Sequence, residues 1–275
     1  MIIWIASYPK SGNTWVRSFL TTLLYSEYGE NNFSHLNKIQ QFPIRSQFKG
    51  LVIDYQNVNQ ISENWISSQQ RINLDEKIKF LKTHHVNCKI VNSPFTDNNN
   101  TLGVIHIVRD PRNIITSLKN HFNKNTYKQT LEFMRNERKF IGTKDIKNEF
   151  DVPTLISSWS NHYKSWKNFD KNYLLIKYED LLYKKNEFLK IINYLEKNTE
   201  NKFKSYQIDK ALNDCNFENL KKQEIDKGFI EAPKLKNQNF FYLGPKNNWE
   251  KLLDSEITKE IENYFKIEMK ELNYL

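Results

Sequence analysis

The chain has 275 residues, 39% of them hydrophobic and 14% aromatic, which is ample for a core and argues against disorder. Its 41 basic residues against 32 acidic ones give a net charge of +9, but they are scattered rather than blocked, which counts against a nucleic-acid tail. No run approaches the roughly 20 apolar residues that span a bilayer, so a membrane protein is not expected.

No repeat period, linker or composition break divides the chain, and one domain spanning 1–275 is the expectation. Cys88 and Cys215 match no metal spacing and read as reduced thiols of a cytoplasmic protein. The opening apolar run, Ile2 to Ala6, is too short for a signal peptide and is the length of a strand buried on both faces. It ends at Ser7-Tyr8-Pro9. From Thr14 the positions Trp15, Val16, Phe19, Leu20, Leu23 and Leu24 recur at helical spacing until Tyr28-Gly29. Residues 30 to 75 are polar and aromatic with weak periodicity, apart from a short helix over Glu63 to Gln70, and read as a substrate-facing insertion.

Lys79 to Thr83 predicts a second strand and Thr101 to Val108 a third, after which Arg109-Asp110-Pro111-Arg112 turns the chain into a helix over Asn113 to Phe122. Residues 124 to 150 are highly charged and read as a surface helix and loop. Thr154 to Phe169 places Leu155, Ile156, Trp159, Tyr163 and Trp166 on one helical face. Tyr173 to Tyr178 predicts a fourth strand, and a helix begins near Asp180 and runs through Phe188, Ile191, Ile192 and Leu195. This order indicates an α/β fold, P-loop-like and three-layered, with a central parallel sheet flanked by helices. Ligands in such sheets bind beyond the carboxyl ends of the strands.

Two strand-to-helix corners look built for anions. In Tyr8-Pro9-Lys10-Ser11-Gly12-Asn13-Thr14-Trp15 the backbone N–H groups of a helix start converge where a phosphate fits. Gly12 allows close approach, Ser11, Asn13 and Thr14 offer donors, Lys10 offers a mobile charge and Trp15 a flat face for a base. The P-loop pattern is not matched, because Lys10 precedes the glycine. At the second corner Arg109 presents a planar fork, and Ser117, about two turns on, points a hydroxyl the same way.

The first of these segments resembles the 5′-phosphosulfate loop of sulfotransferases that use 3′-phosphoadenosine 5′-phosphosulfate (PAPS), and the second their 3′-phosphate motif. The resemblance implies Lys10 at the bridging oxygen between phosphate and sulfate, Ser11 to Thr14 on the 5′-phosphate, Trp15 on adenine, and Arg109 with Ser117 on the 3′-phosphate. Tyr178 in KYEDL matches a nucleotide-touching position, and Phe217 in CNFENLK the Phe on the other adenine face. Gly244 and Trp249 in LGPKNNWEK match the last nucleotide loop. There Tyr242 and Leu243 replace a basic pair, Asn247 replaces a second glycine, and Lys246 is the substitute cation.

Leu81-Lys82-Thr83-His84-His85 ends a strand, and the family's strand-end K-T-H picks His84 as base and Lys82 as sulfate-side cation, with His85 as the alternative base. Lys10 would assist departure of 3′-phosphoadenosine 5′-phosphate (PAP). No metal is expected. The expected partner is a small-molecule acceptor with a hydroxyl or amine, not nucleic acid or membrane, and no dimer segment is recognisable near the C-terminus. Two other readings are a P-loop-type nucleotide phosphotransferase, which would need magnesium ligands and G-K-[ST], and a non-catalytic nucleotide or RNA binder. The 30 to 75 and 124 to 152 regions and the loop from Phe229 to Phe241 are the expected acceptor pocket, for a small or partly apolar acceptor.

Overall fold

Ile2–Ser7 forms strand β1, with every residue buried. The computed structural model describes residues 1–26, 31–142, 148–184, 186–229, 231–232 and 239–275. After β1 come helix α1 (Asn13–Tyr25), two short 3-10 turns (Phe33–Lys38 and Arg45–Phe48), α2 (Val58–Glu63), α3 (Trp65–Ile72) and β2 (Lys79–Thr83). The two-residue strands β3 (Lys89–Ile90) and β4 (Ser93–Pro94) pair as a hairpin before β5 (Thr101–Val108). Then follow α4 (Pro111–His121), α5 (Tyr127–Arg135), β6 (Phe140–Ile141), β7 (Thr154–Leu155), α6 (Trp159–Lys167) and β8 (Tyr173–Lys177). The C-terminal part is helical: α7 (Tyr178–Tyr183), α8 (Glu187–Asn198), α9 (Ser205–Asp214), α10 (Phe217–Lys227), a 3-10 turn (Gly244–Lys246), α11 (Trp249–Leu252), α12 (Ser255–Tyr264) and α13 (Lys266–Glu271).

The four long strands lie parallel in the order β2-β1-β5-β8. Alternation along β1 serves both faces of this sheet. Ile3 and Ile5 join Ile105, Ile107 and Ile176 under α1 and α8. Ile2, Trp4 and Ala6 face the other way, toward Phe42, Phe95 and Trp166. Further along that face, Tyr8 and Val108 pack with α4, α6 and α12. The sheet therefore lies between two helical layers, and its strands end together on the side that carries both corners.

The expected strands and the helix after Pro111 are present, and Pro111 opens that helix behind the Asp110 cap. Two expectations need correcting. The helix drawn from Thr154 begins only at Trp159, because Thr154 and Leu155 pair with Ile141 and Phe140, Ser157 turns the chain at φ 57°, and Ser158 caps α6. The helix after β8 is two pieces, α7 and α8. The helix stop at Tyr28-Gly29, residues 143–147 of the charged region, and Ile230 and residues 233–238 of the late loop lie outside the described residues.

Candidate active site

β1 and β5 are neighbours, so the two corners that follow them stand side by side. They are also bonded, since Arg109 Nη1 donates to the carbonyl oxygen of Lys10 at 2.9 Å. At the first corner Lys10 takes φ 68° and Gly12 φ 99°, both left-handed. A Cβ on Gly12 would stand 2.4 Å from the Tyr178 ring, so only glycine leaves room for that tyrosine. Strain at Lys10 is the kind of backbone cost found at sites held by their surroundings.

A cavity of about 690 Å³ opens over the strand ends. Its lining takes in Lys10, Gly12, Asn13, Thr14, Trp15, Lys82, His84, Arg109, Ser117, Tyr178, Phe217 and Gly244. Twelve residues given a role in the sequence are thus brought to one space. Ser11 and Lys246 are not. Ser11 is wholly buried beneath the loop, beside a small void shared with Tyr8 and His106, and Lys246 lies exposed on its 3-10 turn. Lys246, the expected substitute for the missing basic pair, thus does not line the cavity. Asn13 turns its amide back onto β1, donating to Ile5 O at 3.0 Å and Ser7 Oγ at 3.1 Å, which leaves its backbone at the helix start to face the cavity.

The flat groups are held by their neighbours. Trp15 donates Nε1–H to Cys215 O at 2.7 Å and meets Tyr178 edge-on at 5.7 Å. The Arg109 guanidinium lies 4.1 Å above the Tyr178 ring, and its Nε has no partner among the described residues. Phe217 presses on Gly244, where a Cβ would come within 2.3 Å of the ring. Asn247 ties this last loop to α4 by accepting from Thr116 Oγ1 at 2.6 Å and donating to Asn113 O at 2.9 Å. Arg112, of the same turn as Arg109, is spent on structure: it bonds Asp110 and Glu262 and lies over Trp249.

His84 and His85 part company. His85 is fully buried, stacked 4.4 Å from Phe95 with its Nδ1 on Val86 O, away from the cavity. His84 faces the cavity, and its Nδ1 lies 2.7 Å from Ser7 O. A carbonyl only accepts, so the proton sits on Nδ1 and the lone pair on Nε2. Burial, then the Lys82 charge, push the His84 pKa down to about 3, so the ring is neutral at physiological pH. Burial and the neighbouring Arg109 lower Lys10 to about 7, and its Nζ sits 3.8 Å over the Phe240 ring. Phe240 is positioned by Glu224, whose carboxylate accepts the backbone N–H groups of Phe240 and Phe241.

Several lining residues carry no role in the sequence reading, and one of them, His121, is set aside there as lacking a strand-end setting. Arg17, one turn after Thr14 on α1, and His121, four residues after Ser117 on α4, both reach the cavity. The i+3 and i+4 spacing from an already suspected residue is the signal that could have found them. His121 is held down to about 3 by burial and by the Lys10 and Lys82 charges, and its Nδ1 has no partner among the described residues. Glu231 Oε1 lies 2.7 Å from Arg17 Nη1 and 3.3 Å from Lys82 Nζ. Burial raises the Glu231 pKa, but Lys82, Arg17 and the hydrogen bonds of Arg17 and Thr14 outweigh it and keep the carboxyl far below the usual range. No local pattern in the late loop marked this residue.

A further wall of the cavity comes from residues 36–46 and 148–154. Lys82 N donates to Gln40 O and Phe42 N to Lys82 O, both at 2.8 Å, so this stretch runs beside β2 and its amides border the reacting end. Among the described residues no helix is long and apolar enough to cross a membrane.

A family model described as the sulfotransferase domain matches residues 2–273. Rat sulfotransferase 1E1 is 22% identical over 281 residues, covering 97% of this chain and 83% of the rat protein. Mouse sulfotransferase SULT7A1, solved in complex with PAP, superposes with a TM-score of 0.62 at 18% identity, over 98% of this chain and 84% of that one. Retinol dehydratase, solved with androsterone and the inactive cofactor PAP, does so with a TM-score of 0.61 at 19% identity, over 98% and 80%. With the domain match running almost from end to end and the same fold in these solved structures, the chain belongs to the sulfotransferase family.

Proposed function

We propose that the protein moves a sulfuryl group from PAPS to a hydroxyl or amine of a small acceptor, with His84 as base and Lys10 and Lys82 as the cations of the reacting end. The observation that carries this reading is the joining of the two corners by the Arg109–Lys10 bond, over one cavity that also receives His84. A donor with phosphates at both ends of its ribose needs two such corners at that proximity. The pocket fits it in chemistry: a helix start for the 5′-phosphate, a buried Arg109 with Nε unspent for the 3′-phosphate, and Trp15 and Phe217 for the base. The solved relatives named above hold PAP.

In the transfer, His84 Nε2 takes the proton of the acceptor hydroxyl as its oxygen attacks sulfur. The bond from sulfur to the 5′-phosphate oxygen breaks, its electron pair stays on that oxygen, and Lys10 neutralises the charge. The products are the acceptor sulfate and PAP. The cavity size suits a small molecule, and Asn37, Gln40, Gln41 and Ser46 in its wall favour an acceptor with polar groups.

Calorimetric titration of PAP against adenosine monophosphate tests the donor assignment. PAP should bind at least tenfold tighter, the worth of one charge-assisted contact. Equal affinity would remove the role given to Arg109 and Ser117.

A further inference from the structure

A carboxylate of the chain itself stands at the reacting end. Glu231 Oε1 accepts from Arg17 Nη1 at 2.7 Å and Lys82 Nζ at 3.3 Å, and its Oε2 accepts from Thr14 Oγ1 at 3.1 Å. The three donors are buried, with exposures of 4%, 6% and 6% for Arg17, Lys82 and Thr14. Arg17 cannot swing aside, because its Nη2 donates to Leu36 O and Ile39 O at 3.1 Å each. Its Nε has no partner among the described residues. Two buried cations beside a cavity demand an anion. The cradle they form with Thr14 has room for two oxygens of one charged group.

That place lies between the loop assigned to the 5′-phosphate, through Thr14, and the sulfate-side cation, Lys82. On the PAPS reading, on which this inference rests, it is where the sulfuryl group belongs. A sulfuryl oxygen offers the same charge and acceptor geometry as a carboxylate oxygen, and two such anions repel at contact distance. Glu231 and the donor therefore exclude one another.

We propose that Arg17 is a third cation of the reacting centre, binding a sulfuryl oxygen beside Lys82, and that Glu231 holds this place until the donor displaces it. Charge on the sulfuryl oxygens is then met from two elements, α1 and β2, while Lys10 serves the leaving oxygen. Arg17 also links donor and acceptor sides, since the carbonyls that anchor it belong to the acceptor wall.

PAP and PAPS differ only in the sulfuryl group, so titrating each into the wild type, Glu231→Gln and Arg17→Gln isolates the contact without any acceptor. Arg17→Gln should weaken PAPS about tenfold or more and PAP far less. Glu231→Gln, nearly isosteric and leaving the Arg17 anchors intact, should tighten PAPS several-fold more than PAP. Parallel changes for the two ligands, or weaker PAPS binding to Glu231→Gln, would overturn the proposal and make Glu231 a permanent buttress. PAP binding reports that each variant is folded, and if Arg17→Gln fails that check the Glu231→Gln pair decides. Failure of the wild type to bind PAP would instead strike the donor reading, and the inference would fall with it.

Discussion

The two halves of the cavity are built differently. On the proposed reading, the nucleotide half is made at the ends of adjacent strands and the first turn of α1, where backbone geometry itself presents donors, with side chains from the later turns of α4. The half proposed for the acceptor is lined by two stretches without long helices or strands, residues 36–46 and 148–154. Under the proposed function, such a division would confine donor binding to a rigid frame and leave acceptor choice to segments that can change without disturbing the sheet.

Substitutions can break that division or sharpen it. The largest effect is expected for His84→Ala, which stands where the halves meet: transfer from labelled PAPS to a panel of phenols and amines should fall about 100- to 10,000-fold. PAP affinity should be unchanged, and a parallel loss of PAP binding would show that His84 serves the frame rather than the chemistry. Next comes Arg109→Ala, which should weaken PAP by roughly ten- to a hundredfold and leave adenosine monophosphate alone, as read by calorimetry. Equal losses would mean that Arg109 acts only by bracing Lys10 and Tyr178.

A pH series addresses the same half with a smaller effect. Lys10 in the free protein loses its proton near pH 7, and a bound phosphate favours the charged form. Above pH 7 binding must therefore take up a proton, and PAP affinity should decline by up to about tenfold per pH unit, a slope that Lys10→Arg removes. The smallest effect belongs to the acceptor half: Gln40→Ala should shift the acceptor KM a few-fold with no change in PAP affinity. A change in PAP affinity would deny the separation of the halves.

What could be read in the sequence follows the same line. The strands are legible because buried parallel strands are continuous apolar runs, as in Ile2 to Ala6, the first corner because glycine, lysine and hydroxyl residues cluster where strand meets helix, and the second because Arg109-Asp110-Pro111 breaks an apolar run at a helix start. Thr154 and Leu155 were misread because apolar spacing carried over from α6 into a two-residue strand, and nothing local signals the pairing with Phe140 and Ile141. Lys246 is picked out only by its nearness to the missing basic pair in sequence, and on its 3-10 turn it is exposed. Glu231 was invisible for a deeper reason: its partners Thr14 and Arg17 lie 217 and 214 residues away, and only the folded chain brings them together.

The most direct test is a crystal structure of the protein with PAP. The 5′-phosphate should lie on the backbone N–H groups at the start of α1, the 3′-phosphate on Arg109 and Ser117, and the adenine between Trp15 and Phe217. Density for PAP elsewhere, or a single phosphate bound with the 3′-phosphate turned away from Arg109, would contradict the account.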